Sequence, residues 1–176
     1  GWTLESANVY YAALSSTMGI RNQVFQNGSM KPEARWPNAG ALFPFQDSSV
    51  KPSADWTYVS TSGTSGTTWW LTNTSLPSRA DNYWTGATLN IMAGYGWYIK
   101  TATVTGYTSA TRLLTTNYAS ANTGAYAINA GNEFYLSGVK GEMDSNGEWF
   151  YDPANSRLYF YSSTGAPANV EAKKRD

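Results

Sequence analysis

The sequence predicts an all-β fold, an antiparallel β-sandwich or barrel with little or no helix. Short aromatic or β-branched runs recur along the 176 residues, and Gly, Asn, Pro or Ser separates them. No segment carries the sustained apolar stripe of an amphipathic helix. The length suits one domain, so we expect residues 1–176 to form a single all-β domain.

The first forty residues predict two strands and a hairpin turn. Residues 8–14 are rich in Tyr and Ala and predict a strand. Residues 21–26 predict a second strand that leads into Asn27-Gly28, a strong type I′ turn signal. The two prolines within residues 29–38 restrict that segment to an edge strand or an extended loop.

The pattern weakens over residues 39–68, which the Pro, Ser, Thr and Gly content indicates as loop. A short strand at residues 56–60 interrupts it. Residues 69–71 resume a buried or half-buried element, and residues 82–84 indicate a short helix or a turn.

The middle of the chain predicts an antiparallel strand pair. Residues 87–92 and 96–104 are the two strands, joined around Ala93-Gly94-Tyr95. Residues 112–116 predict a further strand.

The last third predicts a hairpin with a longer loop. Aromatic runs at residues 149–151 and 158–161 flank the polar connector 152–157, whose Asp-Pro and Asn-Ser pairs favour a turn. Residues 134–136 predict a strand before this hairpin, and residues 169–172 predict one after it.

Composition narrows the classes of function. Charged residues make up 14% of the chain, and twelve basic side chains balance twelve acidic ones, so the basic field of a nucleic-acid-binding protein is missing. The absence of Cys and His excludes thiolate and His-ligated metal sites and His-dependent triads. No apolar run approaches the roughly 20 residues that span a bilayer. We therefore expect no cofactor, no metal, no nucleic acid and no membrane partner.

The last third also resembles a segment of large right-handed parallel β-helix proteins that act on polysaccharides. The matching residues are Gly147, Glu148, Trp149, Tyr151, Asp152, Leu158 and Tyr159. Residues 23–28 and 33–38 are similar to a companion segment, and a weaker likeness covers residues 84–107. The resemblance implies an accessory β-sandwich or barrel inserted early in the β-helix and similar to a carbohydrate-binding module. It implies an extracellular or cell-surface protein whose catalytic carboxylates lie on a covalently attached or docked β-helix domain, so this chain is predicted not to be an enzyme.

Aromatic side chains give the main functional signal. The apolar C–H face of a sugar stacks on Trp or Tyr, while polar side chains at the margin bond its hydroxyls. The predicted ligand-binding residues combine both types: Trp69, Trp70, Arg79, Asp81, Asn82, Trp84, Tyr95 and Trp97. The alternative is that most of these rings fill the core. With eight Trp and thirteen Tyr, we expect at least one exposed aromatic cluster.

Carboxylates near the predicted hairpin offer a second chemistry, because glycoside hydrolysis uses two carboxyl groups about 5–9.5 Å apart. The candidates are Glu142, Asp144, Glu148 and Asp152. Turn capping by Asp152 and an edge ion pair by Glu148, with Arg35 or Arg157 as partner, are the structural roles we favour. Residues 144–148 resemble part of a calcium loop but lack its full spacing, so no metal site is expected.

These observations favour a non-catalytic module that binds a polysaccharide or oligosaccharide for an attached β-helix enzyme. One alternative is a structural insertion that shapes the enzyme's cleft and has no ligand of its own. Another is a small glycosidase or lyase that uses carboxylates and Tyr.

Overall fold

A computed structural model describes residues 1–18, 22–40 and 55–173. Its strands, in chain order, are β1 (Thr3–Ser6), β2 (Val9–Ala13), β3 (Val24–Gln26), β4 (Ser29–Lys31), β5 (Arg35–Trp36), β6 (Thr57–Tyr58), β7 (Thr61–Ser65), β8 (Thr68–Thr72), β9 (Thr88–Ala93), β10 (Tyr98–Thr108), β11 (Leu113–Ala119), β12 (Glu133–Ser137), β13 (Trp149–Asp152), β14 (Arg157–Tyr161) and β15 (Val170–Ala172). The helices in these ranges are two three-residue 3-10 turns, Gly124–Tyr126 and Lys140–Glu142. The all-β, antiparallel prediction is confirmed. No helix in the described residues is long and apolar enough to cross a membrane.

The chain forms two compact units. Unit 1 consists of Gly1–Lys51 and Gly138–Asp176, and unit 2 is the intervening Pro52–Ser137. Unit 2 is therefore an insertion in the sequence of unit 1. The prediction that residues 1–176 form a single all-β domain stays a prediction.

Unit 1 contains two antiparallel sheets, with strand orders β1-β2-β14-β13 and β15-β3-β4. The predicted hairpin is confirmed as β13–β14, with Trp149 opposite Phe160. The Oδ1 of Asp152 accepts hydrogen bonds from the backbone N–H groups of Ala154 at 2.9 Å and Asn155 at 3.3 Å. Asp152 thus has the predicted turn-capping role. Strand β14 also pairs with β2, so it lies inside the sheet and not at its edge.

Both faces of β14 are buried. Leu158 and Phe160 belong to one apolar cluster, with Met18, Val24 and Trp149. Tyr159 points to the other face, where it contacts a cluster formed with Ala34 and Met143. The three central residues of this strand, 158–160, are therefore buried and not available to a ligand.

Unit 2 contains one antiparallel sheet with the strand order β12-β9-β10-β11-β8-β7, and β6 pairs with the outer side of β12 at Tyr58 and Glu133. Its core side chains alternate along the strands as the period of two requires. On β9, Leu89 and Ile91 are fully buried, and Val104 on β10 is fully buried as well. The predicted pairing of residues 87–92 with 96–104 is confirmed.

Several local predictions differ from the structure. Residues 41–54 of the predicted loop and Arg21 of the second predicted strand lie outside the described residues. The prediction of a loop is wrong for the Ser/Thr-rich residues 60–68, because β7 pairs with β8 there. The hydroxyls of Thr61 and Thr72 lie 2.6 Å apart across this pair. Ser and Thr can line an exposed strand as well as a loop, and composition does not separate the two. The turn signal of Asn27-Gly28 is confirmed, with positive φ at both residues.

Candidate functional site

Exposed aromatic side chains gather at the turn between β9 and β10. Six large hydrophobic side chains of the described residues are exposed, and four of them belong to this region. They are Tyr95 at 78%, Trp97 at 59%, Ile99 at 66% and Tyr126 at 44%. Contiguous exposed apolar surface marks interaction sites in soluble proteins. Tyr95, Trp97, Tyr98 and Tyr126 are termed the hairpin cluster.

Gly94 joins the two segments that build this cluster. Its N–H donates to the carbonyl of Ala127 at 2.8 Å, and its own carbonyl accepts from the side chain of Asn132 at 3.0 Å. A Cβ at position 94 would lie 1.6 Å from the carbonyl oxygen of Ala125, and φ is +67°. Only glycine permits this approach, which places Tyr126 beside the hairpin.

Three rings of the cluster, Trp97, Tyr98 and Tyr126, contact one another. Tyr98 and Tyr126 have centroids 4.8 Å apart at an interplanar angle of 77°, and Trp97 lies 5.8 Å from Tyr126. The hydroxyl of Tyr118 donates to the carbonyl of Tyr126 at 2.7 Å. Burial raises the pKa of Tyr118 to about 12, so this donor keeps its proton. The Trp97 ring is therefore held by its neighbours while most of it faces solvent, which lowers the entropy lost on binding.

Two of the predicted ligand-binding residues, Tyr95 and Trp97, belong to the cluster. Trp84 does not, because its side chain is fully buried. Its ring packs edge-to-face on Tyr83 at 5.1 Å. The polar residues around Trp84 predict an exposed turn, but this turn directs the indole into the core. This corrects the expectation that Trp84 is available to a ligand.

Trp69 and Trp70 lie on β8 and are half-buried. A Cβ at Gly63 would lie 2.6 Å from the Trp70 ring, so this indole lies directly over the backbone of β7. Trp70 thus covers the sheet with one face. The structure does not bring this pair into the hairpin cluster.

The polar members of the predicted set lie at the far end of β10. Asp81 accepts a hydrogen bond from the N–H of Ser109 at 2.7 Å, and the N–H of Asn82 donates to Tyr107 at 2.9 Å. The guanidinium of Arg79 lies 5.2 Å from the ring centroid of Tyr83. The cluster is at the start of this eleven-residue strand, so roughly 30 Å separates the two groups. The predicted set therefore does not form one site.

Tyr98 and Tyr126 are site candidates that the sequence interpretation missed. Tyr98 directly follows Trp97. Neighbouring side chains of a strand point to opposite faces, so the sequence pattern separates the two rings. Tyr126 lies in a segment of Gly, Ala and Asn with no strand pattern. The one sequence signal for it is an isolated Tyr in a small-residue loop, since large side chains in loops are often exposed.

The carboxylate candidates of unit 1 have structural surroundings. Glu148 is fully buried, and its Oε2 accepts the N–H groups of Asp144 and Ser145, both at 3.0 Å. Its Oε1 accepts the N–H of Arg35 at 3.4 Å. Burial raises the pKa of Glu148 to about 7. The sequence predicts an ion pair at a strand edge, whereas the structure shows a buried carboxyl group that joins two segments inside unit 1. In the described residues no group of three or more His, Cys, Asp or Glu side chains could hold a metal ion.

Comparison with known proteins gives one informative likeness. No family model matches the sequence, and no curated protein matches it. A solved structure described as a glycoside hydrolase has a similar fold, with a TM-score of 0.60 and 13% sequence identity. The match covers 98% of this chain and 30% of that one, so the chain spans less than a third of the protein it resembles.

This likeness corrects one prediction. The sequence predicts that the chain is not an enzyme, on the grounds that it lacks His, Cys and β-helix rungs. The fold of nearly the whole chain, however, occurs within a glycoside hydrolase. The absence of His, Cys and β-helix rungs is therefore not a sufficient reason to predict that the chain is not an enzyme.

Proposed function

We propose that this chain is a carbohydrate-binding part of a larger carbohydrate-active protein, and that the hairpin cluster is its sugar-binding surface. The observation that carries the proposal is a group of rings at one turn: Tyr95, Trp97 and Tyr126 are exposed, and Trp97 and Tyr126 contact each other and Tyr98. The fold likeness to part of a glycoside hydrolase supports a carbohydrate as the ligand. The 30% coverage of that protein supports a larger parent.

The binding mechanism follows from the chemistry of the rings. Trp97 and Tyr95 present apolar faces on which the C–H face of a sugar stacks. The phenol hydroxyls of the cluster's tyrosines offer donors and acceptors to the sugar hydroxyls. One such site binds weakly, and linkage to further sites in a larger protein raises the effective affinity.

A β-helix protein that acts on polysaccharides is the parent that we propose. The support is the sequence of residues 147–159, which resembles a segment of such proteins and contributes to the hairpin β13–β14 of unit 1. In this proposal unit 1 supplies the scaffold, unit 2 supplies the sugar contact, and the protein acts outside the cell or at its surface.

Affinity gel electrophoresis of the chain in neutral and acidic polysaccharides tests the proposal. We expect retardation on at least one polymer. Trp97→Ala should weaken it about five- to thirty-fold, the equivalent of about 1–2 kcal/mol for a lost stacking contact. Tyr58→Ala removes another exposed ring of unit 2, 41% exposed, and should leave binding unchanged. The absence of retardation on every polymer would overturn the proposal.

A further inference from the structure

We propose that the hairpin cluster takes a glycan that carries negative charge, and that Lys100 is the cation that recognises it. The inference rests on the proposed function and names the ligand class of the same site. The shared chemistry is an anionic group on a sugar, either a uronate carboxylate or a sulfate ester. Both groups accept charge-assisted hydrogen bonds from an ammonium.

Lys100 is exposed and adjoins the cluster. Its Nζ lies 5.8 Å from the ring centroid of Tyr98, within the range of a cation–π contact. Tyr98 in turn contacts Trp97 and Tyr126. An anionic group on a sugar that stacks on these rings is therefore within reach of the flexible ammonium.

No carboxylate of the described residues forms an ion pair with Lys100. Lys140 in unit 1 provides the contrast: its Nζ lies 3.7 Å from the ring centroid of Tyr159 and 2.7 Å from the carboxylate of Glu5. Both lysines adjoin a tyrosine ring, but only Lys140 has its charge balanced there. The charge of Lys100 thus remains available to an incoming anion.

The sequence around Lys100 contains no acidic side chain that would repel an anion. Residues 82–132 contain Lys100 and Arg112 and no Asp or Glu at all. The closest carboxylate in sheet register is Glu133, which is opposite Met92, itself opposite Ile99. Neighbouring residues of a strand point to opposite faces, so Glu133 shares the face of Ile99 and not that of Lys100. Within the hairpin, residues 88–108, Lys100 is the one charged side chain, and Glu133 on the neighbouring strand points to the other face.

The experiment measures affinity for matched charged and neutral polymers at 20 and 200 mM salt. Polygalacturonate against its methyl ester tests the carboxylate, and a sulfated against an unsulfated galactan tests the sulfate; alginate and neutral glucans widen the panel. We expect a charged polymer to bind more tightly than its neutral partner. Lys100→Gln should reduce that binding about two- to five-fold and weaken its salt dependence, as for an exposed ion pair. Lys173→Gln removes an equal charge from unit 1 and should change nothing.

The outcomes separate this inference from the proposed function. Equal binding of charged and neutral polymers, with Lys100→Gln unchanged and Trp97→Ala weakened, would overturn the charge preference and leave the sugar site intact. No retardation on any polymer would overturn both. Binding to anionic lipid vesicles but to no polymer would show that the exposed rings and Lys100 serve a membrane surface, which also overturns both.

Discussion

The two units each contain an aromatic-rich hairpin, and they use it in opposite ways. In unit 1, Trp149, Tyr159 and Phe160 on β13–β14 are 6%, 2% and 1% exposed. In unit 2, Tyr95 and Trp97 on the β9–β10 hairpin are 78% and 59% exposed. The first group lies within paired strands, where neighbours cover each ring. The second lies at the turn, where strand pairing ends and the described residues leave most of each ring uncovered. Position in the hairpin, and not residue type, decides between core and contact surface.

The largest expected effect tests the buried half of this comparison. Phe160→Ala should lower the free energy of unfolding by about 3–5 kcal/mol, because it leaves a cavity in a filled core. Tyr95→Ala should change it by less than about 0.5 kcal/mol. Urea unfolding followed by tryptophan fluorescence measures both values. Equal losses for the two variants would contradict the assignment of the exposed ring to a ligand surface.

Calorimetry of the same variants sharpens the relation between the units. The sequence predicts one domain, so we expect one thermal transition that both Phe160→Ala in unit 1 and Leu89→Ala in unit 2 shift downward. Two transitions, each shifted by one variant only, would show that the units unfold separately.

A smaller effect concerns the buried carboxyl group of unit 1. The folded state raises the pKa of Glu148 from 4.5 to about 7, so between these values the unfolded chain releases a proton that the folded chain retains. Stability should therefore fall by about 2–3 kcal/mol as the pH rises through this window. Glu148→Gln should remove that slope, and Glu171→Gln at an exposed position should keep it. Denaturant unfolding from pH 4 to pH 8 provides the measurement, and a rise in stability attributable to Glu148 would contradict it.

The smallest effect tests how the exposed cluster is assembled. Gly94→Ala should cost about 1–3 kcal/mol and weaken glycan binding, because the new Cβ would push the Ala125 backbone and Tyr126 away from the hairpin. Gly96 also has positive φ but open space around it. Gly96→Ala should therefore show the backbone cost of about 1 kcal/mol and keep the cluster intact. Equal binding by both variants would show that Tyr126 is not needed.

Local patterns in the sequence determined much of the fold. Three features can be predicted because each depends on residues close in sequence. They are the alternation along β9 and β10, the Asn27-Gly28 turn and the connector capped by Asp152. The all-β class follows from the same short-range signals, since period and turn chemistry are properties of neighbouring residues.

Tertiary structure alone decided which rings reach solvent. Trp84 and Trp97 both stand beside polar or glycine residues in the sequence, yet the first is buried and the second is 59% exposed. Tyr126 joins Trp97 only because the Ala125 backbone packs against Gly94, about thirty residues earlier in the chain. Exposure depends on what distant segments cover, and no local pattern records that. The sequence thus determined that sugar-stacking side chains are present, and the fold decided which of them are free to bind.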